Sequence, residues 1–142
     1  DVCSSDLVIN RSSPVVLQKN RAWWVPQKLD INAMKTAAQK LVGKHDFTSF
    51  RAAQCQSKSP IKTLDSVSIT QSGDEIIFEF SARSFLHHQV RNMVGTLVEI
   101  GMGKPYDIDE IFAAKNRSAA GINAPACGLY FVKADYPKAA DL

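Results

Sequence analysis

The chain has 142 residues, a formal net charge of +3 and 45% hydrophobic residues, which are the values of an ordinary globular domain with a core of its own. No apolar run in the sequence approaches the roughly 18 residues that span a bilayer. Three cysteines without a CxxC pair indicate neither a zinc site nor a disulfide framework, and we expect a cytoplasmic protein.

The charge is distributed unevenly along the chain. Residues 1–62 contain ten Lys or Arg and four Asp or Glu, whereas residues 63–142 contain seven and ten. The basic first part favours a polyanionic partner, although solvated lysines on a surface helix give the same count.

The first residues differ from those that follow. Residues 2–7 read VCSSDL, which resembles the translation of a sequencing-adapter oligonucleotide. We expect residues 1–7 to be non-native, in a reading frame cut at its 5′ end, and leave them out of the fold prediction. Residues 8–137 are expected to form one α/β domain, and residues 138–142 a tail.

The first predicted elements are the end of a strand at residues 8–11 and a helix after Asp30. A loop with Trp23 and Trp24 separates them, and we favour a hydrophobic clasp over base stacking for this pair. Asp30 is a good N-cap, apolar residues follow at helical spacing, and Gly43 is a natural stop.

The middle and the end of the chain contain further elements. Residues 45–56 indicate an ordered loop, and residues 64–70 and 75–83 a hairpin whose second strand alternates apolar and polar side chains. Asp107 is expected to open a short helix, and residues 128–134 fit a central strand.

Residues 84–101 are predicted to form a helix with Ser84 as its N-cap. Its apolar stripe comprises Leu86, Val90, Met93, Val94, Leu97 and Gly101. His88 and Arg91 are three residues apart and therefore share a second face, where the arginine can point into a cleft. The plain alternative is an amphipathic helix with a solvated arginine.

The predicted order is strand, helix, strand, strand, helix with a small second helix, and strand. This order predicts an α+β fold of the ferredoxin-like split βαβ type, an antiparallel sheet with helices on one face.

Three stretches together resemble one family. They read HDFTSFRAAQCQ at residues 45–56, FLHHQVRNMVG at 85–95 and AAGINAPACGLYFVKADYP at 119–137. In this order they resemble the C-terminal half of a TruA-type tRNA pseudouridine synthase. The resemblance extends over about residues 8–137 and implies the ferredoxin-like half of the pseudouridine synthase fold.

The resemblance also implies a reaction and partners. Enzymes of this family isomerise uridines at positions 38–40 of the tRNA anticodon arm to pseudouridine: the N-glycosidic bond is cut, the uracil turns, and C5 joins the sugar. The target base must leave its stack. The family needs no cofactor or metal and typically acts as a homodimer on tRNA.

The resemblance carries over to particular residues. Arg91 matches the basic residue that pairs with the family's catalytic aspartate, where a cation keeps the carboxylate ionised. The candidates for substrate binding are Phe85, His88, Leu129, Tyr130, Phe131, Arg51 and Gln54. Basic residues such as Lys44 are candidates for phosphate contacts.

Two features of the family are absent from this sequence. Its catalytic aspartate lies in an Arg-Thr-Asp-x-Gly-Val-His motif, and no such run occurs here; Asp46 and Asp74 have the wrong neighbours. The family's tyrosine-bearing strand corresponds to residues 4–7, which contain no aromatic residue. We therefore expect this polypeptide to be inactive alone.

Two other functions fit the sequence less well. A non-catalytic ferredoxin-like RNA-binding module is one, but residues 75–80 lack the glycine and the basic residue of the RRM signature. A hydrolase or metal site on His45, His87 and His88 is the other, and adjacent histidines do not share a helix face.

Overall fold

The computed structural model describes residues 2–12, 22–52, 59–86 and 88–134, with the backbone alone at 130–134. The strands are β1 (Val2–Asn10), β2 (Trp23–Val25), β3 (Gly43–Asp46), β4 (Ile61–Ser72), β5 (Glu75–Ala82) and β6 (Leu129–Ala134). The helices are α1 (Ile31–Gln39), α2 (Gln89–Gly101) and α3 (Ile108–Ala114). None of these helices is long and apolar enough to cross a membrane.

The six described strands form one sheet in the order β2-β1-β5-β4-β3, and β6 also pairs with β1. Strand β1 is antiparallel to β5 and β6 but parallel to β2. The predicted α+β fold of the split βαβ type is confirmed. The expectation of a wholly antiparallel sheet is wrong, because the short strand β2 pairs parallel to β1. The sequence does not predict β2.

The helices cover one face of the sheet. Helix α1 packs on α2 and β4, and α2 also contacts β1. On β5, Ile76, Phe78 and Phe80 are buried beneath this layer, whereas Glu79 on the opposite face is exposed. The predicted alternation of the second hairpin strand is therefore confirmed.

Helix α1 begins and ends at sequence signals. The Asp30 carboxylate accepts a hydrogen bond from the Ala33 N–H at 3.1 Å, as an N-cap does. Gly43 has a φ of +110°, which an L side chain rarely adopts, and it starts β3. Trp23 packs against the core, and the exposed Trp24 donates its indole N–H to the Arg11 carbonyl, which agrees with the clasp interpretation.

Three local expectations differ from the structure. Helix α2 begins at Gln89, so Ser84 is not its N-cap. Part of the segment predicted as an ordered loop belongs to β3, whose four residues lack a strand pattern. Strand β1 begins at Val2, so residues 2–7, which the fold prediction excluded, are part of the sheet. They can pair because a strand's hydrogen bonds use backbone groups, which every residue except proline supplies in full.

Candidate active site

The chain enters α2 through a tight turn. The Leu86 N–H donates to the Gln89 side-chain oxygen at 2.8 Å, and the Gln89 N–H donates to the Leu86 carbonyl at 3.0 Å. His88 adopts a left-handed φ of 63°, which is uncommon for a residue other than glycine. This turn replaces the predicted Ser84 cap and places the side chain of His88 against the first turn of the helix.

Arg91 is held by the segment that leads to β6. Its Nε donates to the Ala124 carbonyl at 2.7 Å, and the Ala124 N–H donates to the Arg91 carbonyl at 3.0 Å. Its Nη1 lies 3.3 Å from His88 Nε2, as their spacing on one helix face predicts. These contacts fix the half-buried guanidinium in one orientation, facing inward.

The segment before Ala124 is tied to α2 by a polar network. Arg117 donates from Nη2 to the Asn92 side-chain oxygen at 2.9 Å and from Nη1 to the Gly121 carbonyl at 2.8 Å. The Asn123 amide donates to the same Asn92 oxygen at 2.6 Å. The segment that contains Ala124 is therefore anchored to α2 through Asn92, the residue that follows Arg91.

Glu99 anchors the same segment about two turns further along α2 than Asn92. Its carboxylate accepts the Ile122 N–H at 2.9 Å and the Lys104 ammonium at 2.6 Å. Burial acts to raise the pKa of Glu99, but the two hydrogen bonds, the charge of Lys104 and a hydrogen bond from Tyr106 together outweigh it and lower that pKa below its usual value. Gly95 permits the close approach, because a Cβ there would collide with the Ile122 carbonyl oxygen.

A cavity of about 410 Å³ lies beside Arg91, within the size range of small-molecule sites. Its lining consists of Ser4, Phe85, Leu86, His88, Gln89, Val90, Arg91, Ala126 and Leu129. Apolar side chains supply surface for a flat ring, and the guanidinium supplies positive charge and N–H donors. Such a cavity can hold a planar base and orient a carboxylate beside it.

Strand β1 brings one acidic side chain near Arg91. Asp6 lies opposite Phe78 of β5 and Leu129 of β6, and it is 0% exposed. Among the described residues, neither of its carboxyl oxygens has a hydrogen-bond partner of ordinary geometry. Burial raises the pKa of Asp6 to about 7, although the charge of Arg91 and the Leu7 N–H oppose this. Asp6 is not among the residues that line the cavity.

The structure brings together four of the residues predicted from the sequence: Phe85, His88, Arg91 and Leu129 all line the cavity. Arg51 lies outside the lining, although it follows Phe50, whose carbonyl accepts a hydrogen bond from Asn92 on α2. Gln54 lies outside the described residues, as do the side chains of Tyr130 and Phe131.

Sequence reasoning missed three parts of the site. Gln89 caps the turn, Ala124 orients the arginine through its carbonyl, and Asn92 anchors the segment that contains Ala124. A backbone carbonyl leaves no trace in sequence. The polar Asn92, directly before the apolar pair Met93 and Val94, was the one available signal, because a buried amide needs partners.

Comparisons with known proteins show which family this chain is similar to. A sequence model described as tRNA pseudouridine synthase matches residues 37–137. Relatives named tRNA pseudouridine synthase A are similar: that of Azorhizobium caulinodans is 53% identical over 133 residues, covering 92% of this chain and 52% of the relative. That of Rhodospirillum centenum is 54% identical over 131 residues, covering 91% and 54%. The chain thus spans about half the length of the curated relatives that it matches.

Proposed function

This chain belongs to the tRNA pseudouridine synthase family, and we propose that the protein of which it forms part isomerises uridines at positions 38–40 of the tRNA anticodon arm. The observation that carries the proposal is the inward guanidinium of Arg91, fixed by Ala124 in the wall of a cavity lined by apolar side chains. A fixed cation beside a base-sized cavity is what this chemistry requires.

In the proposed mechanism Arg91 holds the catalytic carboxylate, which residues outside this sequence supply. A guanidinium stabilises an ionised carboxylate in a site shielded from water and fixes its direction through N–H donors. The carboxylate then acts on a uridine extruded from its stack. The bond from N1 to C1′ breaks, the uracil turns, and C5 bonds to C1′ while the C5 proton leaves and N1 gains a proton.

The remaining site residues bind the base or the strand around it. Phe85, His88 and Leu129 shape the cavity that receives the uracil, in agreement with their places in its lining. Tyr130 and Phe131 continue the same strand and are proposed to contribute beneath the base. Arg51 and Gln54 are proposed to meet the RNA beside the cavity, and the reaction uses no metal or cofactor.

We propose that this polypeptide alone has no synthase activity. Asp6 is buried and is not among the residues that line the cavity, so it is not proposed to act on a bound base. Incubation of the purified chain with unmodified tRNA, followed by nucleoside analysis, is expected to yield no pseudouridine. Pseudouridine above the level of a protein-free control would overturn this proposal.

The setting of the domain is proposed as well. We propose a cytoplasmic homodimer that binds tRNA, with residues 8–137 as the native α/β domain, residues 1–7 as foreign sequence and 138–142 as a tail. The buried carboxyl of Asp6 has no hydrogen-bond partner of ordinary geometry among the described residues, which supports the foreign origin, because cores seldom hold such a carboxyl. Sequencing the gene from its source decides this point, and an intact start codon just upstream would refute it.

A further inference from the structure

A second cavity, of about 250 Å³, lies at the end of the sheet where β4 begins and β5 ends. Three cationic side chains from three neighbouring strands line it: Lys44 of β3, Lys62 of β4, and Arg83 directly after β5. We call this cavity the basic pocket; its remaining lining residues are Ile61, Thr63 and Ser84.

The strand register brings these cations together. Lys44 pairs with Thr63, the residue that follows Lys62 on the neighbouring strand. Leu64 pairs with Ala82, which places Arg83 beside the same stretch of β4. The Lys62 ammonium donates to the Ser84 hydroxyl at 3.1 Å, which holds it over the connection that follows β5.

Among the described residues, no carboxylate lines the basic pocket. The ion pairs found in the described part of the chain involve Lys40 and Lys104, on other elements. Three cations around one cleft repel one another, and a bound anion removes that repulsion. Arg and Lys side chains that line one cavity can donate hydrogen bonds to the oxygens of a phosphate group.

The basic pocket adjoins the Arg91 cavity. Ser84 lines the first and Phe85 the second, and consecutive Cα atoms are about 3.8 Å apart. A nucleotide places its base and its phosphates on opposite sides of one sugar. A chain with a base in the Arg91 cavity therefore has phosphates within reach of the basic pocket.

We propose that the basic pocket binds backbone phosphates of the RNA strand that carries the target uridine. This inference rests on the proposed function and adds a contact that positions the substrate without reading its sequence. Lys44 and Arg83 are exposed and available to the strand, while Lys62 is held in place through Ser84.

The test measures the salt dependence of RNA binding by the purified chain. The probe is a labelled RNA stem–loop with the sequence of a tRNA anticodon arm, and the readout is fluorescence anisotropy over a range of salt concentrations. The variant Lys44→Gln/Arg83→Gln is compared with the matched control Lys28→Gln/Lys35→Gln. All four positions are exposed, and the two variants remove the same charge.

Each lost phosphate contact lowers the slope of log affinity against log salt by about 0.7 to 0.9. We expect the pocket variant to lose about 1.4 to 1.8 from this slope, and the control variant to keep the wild-type slope. Equal slopes in the two variants would overturn the inference. Undetectable RNA binding by the wild-type chain would overturn it as well.

A second probe separates this inference from the proposed function. In it an abasic residue replaces the target uridine, which removes the base and keeps every phosphate. If the pocket variant changes the slope while abasic and intact RNA bind equally, the basic pocket stands and the uridine cavity fails. If only the abasic substitution weakens binding, the basic pocket fails alone.

Discussion

Replacement of Asp6 by asparagine is expected to make the fold more stable at neutral pH. The shift of its pKa from 3.8 to about 7 spans about three units, and at about 1.4 kcal/mol per unit it corresponds to about 4 kcal/mol. The cause is a carboxyl group with 0% exposure and no hydrogen-bond partner of ordinary geometry in the described structure, which resists ionisation.

The sign of the effect follows from proton uptake. Because the pKa of Asp6 is higher in the folded chain than in the unfolded chain, the folded state binds more protons between these values. The free energy of unfolding is therefore expected to fall as pH rises from about 4 to above 7. Asp6→Asn removes this slope, since the amide does not ionise.

Urea unfolding across this pH range, followed by circular dichroism, measures the effect. Asp65→Asn is the matched control, because it removes the same charge from an exposed position on β4. We expect wild type and Asp65→Asn to lose stability together with rising pH, while Asp6→Asn does not. Parallel curves for wild type and Asp6→Asn would refute the reasoning.

Three further substitutions test two supports of the site and the N-cap of α1. Gly95→Ala is expected to cost about 1–3 kcal/mol of unfolding free energy despite the higher helix propensity of alanine, because the new methyl collides with the Ile122 carbonyl; an unchanged melting temperature would contradict this. Because the pKa of Glu99 is lowered in the folded chain, its ionised carboxylate stabilises the fold above the unfolded pKa, and this contribution is lost as pH falls. Glu99→Gln should therefore flatten the acid side of the curve of unfolding free energy against pH. A curve like that of wild type would count against this prediction. Asp30→Ala is expected to cost about 1 kcal/mol by chemical denaturation, through loss of the α1 N-cap, and a cost near zero would show that the cap contributes nothing.

The elements with strong local signals were predictable. Asp30 marks the start of α1, and the alternation of Ile76, Phe78 and Phe80 marks a strand with one buried face. Three-residue spacing placed His88 next to Arg91. In each case the signal depends on residues close together in sequence.

The start of α2 depends on a local hydrogen bond that the pattern does not reveal, and the other differences depend on tertiary contacts. The Gln89 side-chain oxygen accepts the Leu86 N–H, so this N–H is not available to a cap at Ser84, and α2 begins only at Gln89. Strands β2 and β3 have three and four residues, too few for a periodic pattern, and exist because longer neighbours pair with them. The Ala124 carbonyl that orients Arg91 comes from a residue 33 positions away.

The central claim is that Arg91 stabilises a catalytic carboxylate beside the uridine cavity. Steady-state kinetics of the intact enzyme that contains this domain, comparing wild type with Arg91→Gln on unmodified tRNA, test it most directly. Removal of one preorganised charge partner is expected to lower kcat by about 10²–10³-fold, with KM for tRNA nearly unchanged and partial recovery in Arg91→Lys. A kcat in Arg91→Gln within a few-fold of wild type would contradict the claim.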